Sequence, residues 1–221
     1  MEHRQRPSLV DLSHRIEDGT ITYRGLPGPH ICDFWTREQS ASLYEDGATF
    51  QIGRIDMVAN TGTYLDTPFH RFADGDDLAE VGLDRLAGLD GLVIRARQQA
   101  VDAGAFAGLD LRGKAVLVHT GWDRHWGSDV YFSDHPFLTE AAANLLVEAG
   151  AALVGIDSHN IDDTRVPRRP VHTILLGAGI LIVEHLTNLA ALPDSGFRFT
   201  ATPPKISGMG TFPVRAFAAV G

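Results

Sequence analysis

The chain has 221 residues, is 44% hydrophobic and carries a formal net charge of −9, which suits one compact domain over residues 1–221 with a sizeable core. Its 19 Lys and Arg residues are scattered, so there is no electrostatic footprint for nucleic acid or an anionic membrane. The single cysteine, Cys32, rules out an intrachain disulfide and is compatible with a reducing cytosol.

The first 14 residues are polar and run into Leu9-Val10-Asp11-Leu12 without the apolar stretch of a signal peptide, so a cytoplasmic location is expected. Residues 25–29 are rich in Pro and Gly and read as loop, and residues 49–59 read as a strand. Short apolar runs with β-branched content at 92–94, 115–118, 152–156 and 180–183 read as buried strands. None approaches the roughly 18 residues a membrane span needs. Between two of them, residues 139–149 are rich in Ala, Leu and Glu, with Thr139 as N-cap and Gly150 as the stop of a helix. Strand, helix and strand in that order predict a crossover in an α/β fold. Residues 203–210 are another loop, and 211–220 read as a last strand.

Several chemistries are excluded. There is no Gly-x-Ser-x-Gly for a nucleophile elbow and no Gly-rich loop ending in Gly-Lys-Ser/Thr. Gly177-Ala178-Gly179 precedes a strand, where a dinucleotide fingerprint would follow one. Cys32 reads as a small, half-buried apolar residue, because a reactive thiol needs an electropositive surrounding.

The densest signal is Asn60-Thr61-Gly62-Thr63-Tyr64-Leu65-Asp66-Thr67-Pro68-Phe69-His70. In extended chain, side chains alternate faces, so Asn60, Tyr64, Asp66 and, if extension persists, His70 point one way. Pro68 predicts that the segment leaves any central ladder there. Farther on, Glu184 ends a buried strand and needs a partner such as a metal or a base. His172 precedes it, and Asp157 ends another strand, followed by Ser158-His159-Asn160. The alternative at each place is structural: a polar edge strand, or a strand ending at solvent.

These residues resemble the cyclase family, which includes kynurenine formamidase and isatin hydrolase and is marked by His-x-Gly-Thr-His-x-Asp-x-Pro-x-His. Residues 60–70 match at Gly62, Thr63, Asp66, Pro68 and His70, and depart at Asn60 and Tyr64, where the family has histidines. Asp11-Leu12-Ser13-His14, Thr120-Gly121-Trp122, Gly155-Ile156-Asp157 and Pro213-Val214-Arg215-Ala216 are similar to further family segments, so the likeness spans nearly the whole chain.

The resemblance implies a single mixed α/β domain with a barrel-like β portion and helices, a swivelling β/β/α fold assembled as a homodimer or larger. It implies a metal-dependent hydrolase of a small amide, lactam or ester, in the manner of an arylformamidase. Asp66, His172 and Glu184 then hold one divalent ion, zinc or manganese, and His70 serves in acid–base catalysis. The family's other metal position is compromised, since an amide oxygen is a weak ligand and a phenol must lose its proton to bind well. Asn60, Tyr64 and His159 are possible additional site residues, and His119 and His185 are further candidates for compensation. Trp35, Phe72, Trp122 and Trp126 line a pocket or fill the core, and Phe197, Phe199 and Phe217 suggest buried subunit contacts. Two rivals stay open: a metal-free cyclase or lyase using His70 with Asp66, and a non-catalytic ligand-binding relative.

Overall fold

The computed structural model describes residues 7–221; residues 1–6, the start of the polar amino-terminal stretch, lie outside the described residues. The predicted buried runs become four adjacent parallel strands, Leu89–Arg95, Ala115–His119, Leu153–Ile156 and Leu181–Glu184. Antiparallel strands extend this sheet on both sides. Its full order is Ser8–Asp11, Phe217–Val220, Ser195–Thr200, Leu89–Arg95, Ala115–His119, Leu153–Ile156, Leu181–Glu184, Tyr64–Asp66 and Thr211–Pro213. The predicted strand 211–220 is thus two strands joined by residues 214–216: Thr211–Pro213 is the edge strand beside Tyr64–Asp66, and Phe217–Val220 lies at the opposite end of the sheet between Ser8–Asp11 and Ser195–Thr200.

Side-chain alternation divides the core into two layers. Ala115, Leu117, Leu153, Leu181, Val183 and Leu65 face one cluster, which also takes Leu12, Phe199 and Ala218 from the far edge. Residues from both ends of the sheet share that cluster, so the sheet curls on itself. The curl is pinned where Ser13 bridges Leu186 and the Thr187 amide donates to the Leu12 carbonyl. This is the expected barrel-like β portion of a mixed α/β fold.

Val116, Val118, Val154, Ile156 and Ile182 face the other way, onto the helices Glu140–Ala149 and Pro170–Gly177. The first helix is the predicted one. Thr139 accepts a hydrogen bond from the Ala142 amide, and Gly150 ends the helix in the left-handed conformation at φ 74°. The second was not legible as a helix. Pro170 opens it, a position that needs no backbone donor, and Val171, His172, Leu175 and Leu176 are buried.

A separate hairpin pairs His30–Trp35 with Ile52–Asp56, the latter within the expected strand 49–59. It leaves Ile31, Phe34, Ile52 and Ile55 exposed. Phe197 and Phe199, by contrast, are 2% and 0% exposed in the curled core, because they alternate inward on their strand. They mark this chain's own core, which corrects the expectation that they mark a subunit contact.

Candidate functional site

Strand register explains the site. Leu65 and Val183 pair and face the curled core, so their neighbours Tyr64, Asp66 and Glu184 turn to the helical face. Tyr64 stands directly opposite Glu184, and its hydroxyl donates to Glu184 Oε2 at 2.6 Å. Thr211 stands opposite Asp66 on the other side, and its hydroxyl donates to Asp66 Oδ1. All four residues are at most 4% exposed.

The helix Pro170–Gly177 lowers His172 onto this face. Its Nε2 lies 3.7 Å from Asp66 Oδ2 and 3.6 Å from Glu184 Oε1. Behind the ring, Asp162 Oδ2 accepts from His172 Nδ1 at 2.6 Å and from the His172 amide at 3.0 Å. Asp162 Oδ1 accepts from the Val171 amide at 2.8 Å. One carboxylate thus satisfies orphan amides of the helix start and fixes the imidazole tautomer with Nε2 toward the site.

Pro68 ends strand Tyr64–Asp66 as predicted and starts a 3₁₀ turn, Pro68–His70, that carries His70 to the rim. His70 Nδ1 lies 2.8 Å from Thr211 Oγ1. The Thr211 proton is committed to Asp66, so His70 Nδ1 must be the donor, which leaves Nε2 as the ring nitrogen able to accept. Gly210 permits this approach, since a Cβ there would stand 2.2 Å from the His70 amide nitrogen.

These residues share a cavity of about 240 Å³ with Asn60, Tyr23, Leu26, Asn160, Arg71 and Arg169. Its carboxylates and imidazole perturb one another strongly. Burial pushes the Glu184 carboxyl up, opposed by the His172 charge, and burial acts to lower His172, but Glu184, Asp162 and Asp66 together hold that imidazole well above its usual value. Burial, with Glu184 and Asp66 beside it, raises the Tyr64 phenol well above its ordinary value, so Tyr64 is a proton donor here and not an anionic ligand.

The donor set fits one divalent ion. Asp66 Oδ2 is buried without a hydrogen-bond partner, facing His172 Nε2. Donors about 2.1 Å from a tetrahedral ion are about 3.4 Å apart, close to the spacings around His172. Asp66, His70 and His172 have ligand atoms all within 4.8 Å of one another. Glu184 Oε1 is 3.6 Å from the same His172 nitrogen and is a further donor beside them. A second ion does not fit the same test, because Asn60 is an amide and the Tyr64 hydroxyl is spent on Glu184.

Of the remaining sequence candidates, His159 is 3% exposed but lies behind Tyr23, stacked on it at 4.6 Å among Phe132 and His135. It does not line the cavity. His119 is engaged with Arg95 at 3.2 Å on another side of the fold. His185 is buried with its ring between Tyr131 and Tyr64. Trp35 packs on Phe50, Trp126 stacks on His14, Trp122 meets His125 at a tilt, and the aromatics at the cavity are Tyr23 and Tyr64. Sequence reasoning missed Asp162, Thr211, Arg71 and Arg169. Asp162 carried a signal, a carboxylate ten residues before the His172 it supports, but nothing local sets that contact.

The Cyclase family model, described as "Putative cyclase", matches residues 10–163. The kynurenine formamidase of Salinibacter ruber is 28% identical over 216 residues, covering 95% of this chain and 96% of that one. That of Geobacillus thermodenitrificans is 25% identical over 209 residues, covering 94% and 95%. Isatin hydrolase A from Ralstonia solanacearum superposes with a TM-score of 0.82 at 22% identity, over 97% of this chain and 92% of that one. The sequence relatives are named as hydrolytic enzymes, the class expected from the motifs, and the family match spans most of the described chain: the protein belongs to the cyclase family.

Proposed function

We propose that this chain is a metal-dependent hydrolase of a small amide, lactam or ester, with arylformamide-like compounds as the first class to test. One observation carries the reading: Asp66 Oδ2, buried and unpartnered, faces His172 Nε2 at 3.7 Å, with Glu184 Oε1 3.6 Å from the same nitrogen. Asp66, His172 and Glu184 would hold one divalent ion, zinc or manganese. When bound, such an ion polarises a carbonyl and lowers the pKa of a bound water.

The chain's own residues then have separate tasks. Asp162 fixes the His172 ring, and Tyr64 holds Glu184 in place. His70 takes a proton from the attacking water at Nε2 and returns it to the leaving group. Thr211 keeps Nε2 in the tautomer that accepts. The metal-free rival needs His70 and Asp66 as a direct pair. Thr211 stands between them, and His70 Nδ1 is 3.7 Å from Asp66 Oδ1, too far for a hydrogen bond.

We also read the protein as a cytoplasmic homodimer or larger assembly. No helix among the described residues is long and apolar enough to cross a membrane. The exposed Ile31, Phe34, Ile52 and Ile55 of the hairpin supply apolar surface for a second copy. Elemental analysis of protein purified without chelator, with a hydrolysis screen of formanilides, lactams and lactones, tests the enzymatic reading. The expected result is one zinc or manganese per chain and hydrolysis that a chelator abolishes. Activity intact without any ion would overturn it.

A further inference from the structure

Two arginines line the cavity without a carboxylate partner among the described residues. Arg71 follows His70 directly and is exposed; Arg169 precedes the helix that carries His172 and is half-buried. Thr173 joins them: its hydroxyl accepts from Arg71 Nε at 3.1 Å and donates to the Arg169 carbonyl at 2.8 Å. Arg169 is tethered through Nη1 alone, to the carbonyls of Asp163, Val166 and Arg168. Both nitrogens Nη of Arg71, and Nε and Nη2 of Arg169, have no partner in the described residues. Each guanidinium therefore keeps an edge free for a planar acceptor.

Charge balance points the same way. Asp66 and Glu184 are matched by one divalent ion, so a loaded cavity keeps the two guanidinium charges in excess, in a chain whose net charge is −9. A neutral substrate has no use for them, and leaving two cations unpaired at a cleft serves no packing purpose.

We propose that Arg71 and Arg169 form a carboxylate-binding subsite, and that the substrate carries a carboxylate beside the bond that breaks. This rests on the hydrolase reading above and narrows it to anionic acyl compounds, such as an anilide with an ortho carboxylate. In such a substrate, water oxygen bonds to the acyl carbon, the C–N bond breaks, and the water proton passes through His70 to the departing nitrogen.

The test compares 2-formamidobenzoate with formanilide, which lacks the carboxylate, and benzoate with benzamide as ligands in isothermal titration calorimetry. Arg71→Met removes the exposed guanidinium. Arg169→Lys keeps the charge and a donor toward the three carbonyls but loses the planar edge. Wild type is expected to favour 2-formamidobenzoate in kcat/KM, and benzoate in affinity, by tenfold or more. Each variant should reduce that ratio about tenfold, chiefly through KM. A ratio near one in wild type, or a preference that survives in both variants, would overturn the subsite, the second result placing the carboxylate on other groups of the cavity instead. Hydrolysis of neither anilide, with benzoate preference present and lost in Arg71→Met, would overturn the hydrolase reading and leave the anion site standing.

Discussion

Asp162→Asn tests whether His172 is a ligand, because Asp162 touches the site only through that ring. Asp162 Oδ2 accepts two bonds, from the His172 amide at 3.0 Å and from Nδ1 at 2.6 Å, while Oδ1 accepts from the Val171 amide at 2.8 Å. An asparagine offers one acceptor oxygen and an NH₂ donor. If the oxygen stays toward His172, the NH₂ opposes the Val171 amide; if it flips, the NH₂ opposes both His172 donors. Either way buried donors lose a charged acceptor, which costs about 1–3 kcal/mol of stability. Loss of the partner behind a metal-bound histidine lowers metal affinity about 10- to 100-fold, or about 1.4–2.8 kcal/mol. Zinc affinity is measured by competition with a chromogenic chelator, and thermal unfolding of the metal-free variant gives the stability effect separately. Affinity within twofold of wild type, alongside a lowered Tm, would refute the reasoning: Asp162 would then be a helix cap, and His172 not a ligand.

Other outcomes follow from the same geometry. His70→Ala should lower kcat about a hundredfold or more with metal content unchanged; lost metal would instead make His70 the third ligand beside Asp66 and His172. Asn60→His with Tyr64→His should raise the ion count by elemental analysis from one toward two, and a count that stays at one would show that the backbone no longer presents the second position. Burial, with the charges of His135, Arg169 and Arg24, pushes His159 down to about 3, so its neutral form supports the fold fully above the unfolded pKa near 6.5 and progressively less as pH falls from there toward 3. Between pH 7 and 5 this one residue should cost about 2 kcal/mol, and His159→Phe should flatten the pH dependence of the urea midpoint by that amount; an unchanged slope would show that His159 takes up no extra proton on unfolding. Light scattering at micromolar concentration should show a dimer or larger, converted toward monomer by Phe34→Glu with Ile55→Glu, and a wild-type monomer would count against the assembly.

The parts legible in sequence were those set by short-range pattern. The four parallel strands declared themselves by compact β-branched runs, and the helix Glu140–Ala149 by its cap and stop. Alternation within 60–70 put Asn60, Tyr64 and Asp66 toward one face, and all three line the cavity. The rest depended on contacts that local sequence does not encode. The helix Pro170–Gly177 is apolar nearly all round, and its run merges with the strand that follows. Thr211 acquires its role from cross-strand register with Asp66, 145 residues away, and Asp162 from the docking of the helix it caps. His159 follows a strand end, which marks it in the sequence as a site candidate; in the fold it stacks on Tyr23, from a distant loop, and it is Tyr23 that lines the cavity.

What fills the place of the family's two missing histidines is a hydrogen-bond chain whose direction is forced. Tyr64 has one hydroxyl proton, and it goes to Glu184 Oε2 at 2.6 Å. His185 Nε2, 3.3 Å from the Tyr64 oxygen, must therefore be a donor. Burial and the neighbouring His159, His14 and His135 hold His185 well below its usual pKa, so its ring is neutral and its Nδ1 is an acceptor. Tyr131 then donates to that nitrogen at 2.8 Å, and burial, with the charges of Asp157, Glu184 and Asp123, keeps its phenol protonated. From Tyr131 through His185 and Tyr64 to Glu184 every polar atom is matched, with the protons of three neutral groups directed at one carboxylate. A second cation there would have to break this chain and strip a phenol of a proton that its surroundings hold tightly. No such cost attaches to the other side of Glu184, where Asp66 Oδ2 is buried without a hydrogen-bond partner 3.7 Å from His172 Nε2. Asn60 and Tyr64, in place of the motif's two histidines, thus leave the candidate cation position beside Asp66 and His172 open, and fill the other with a neutral network that steadies Glu184.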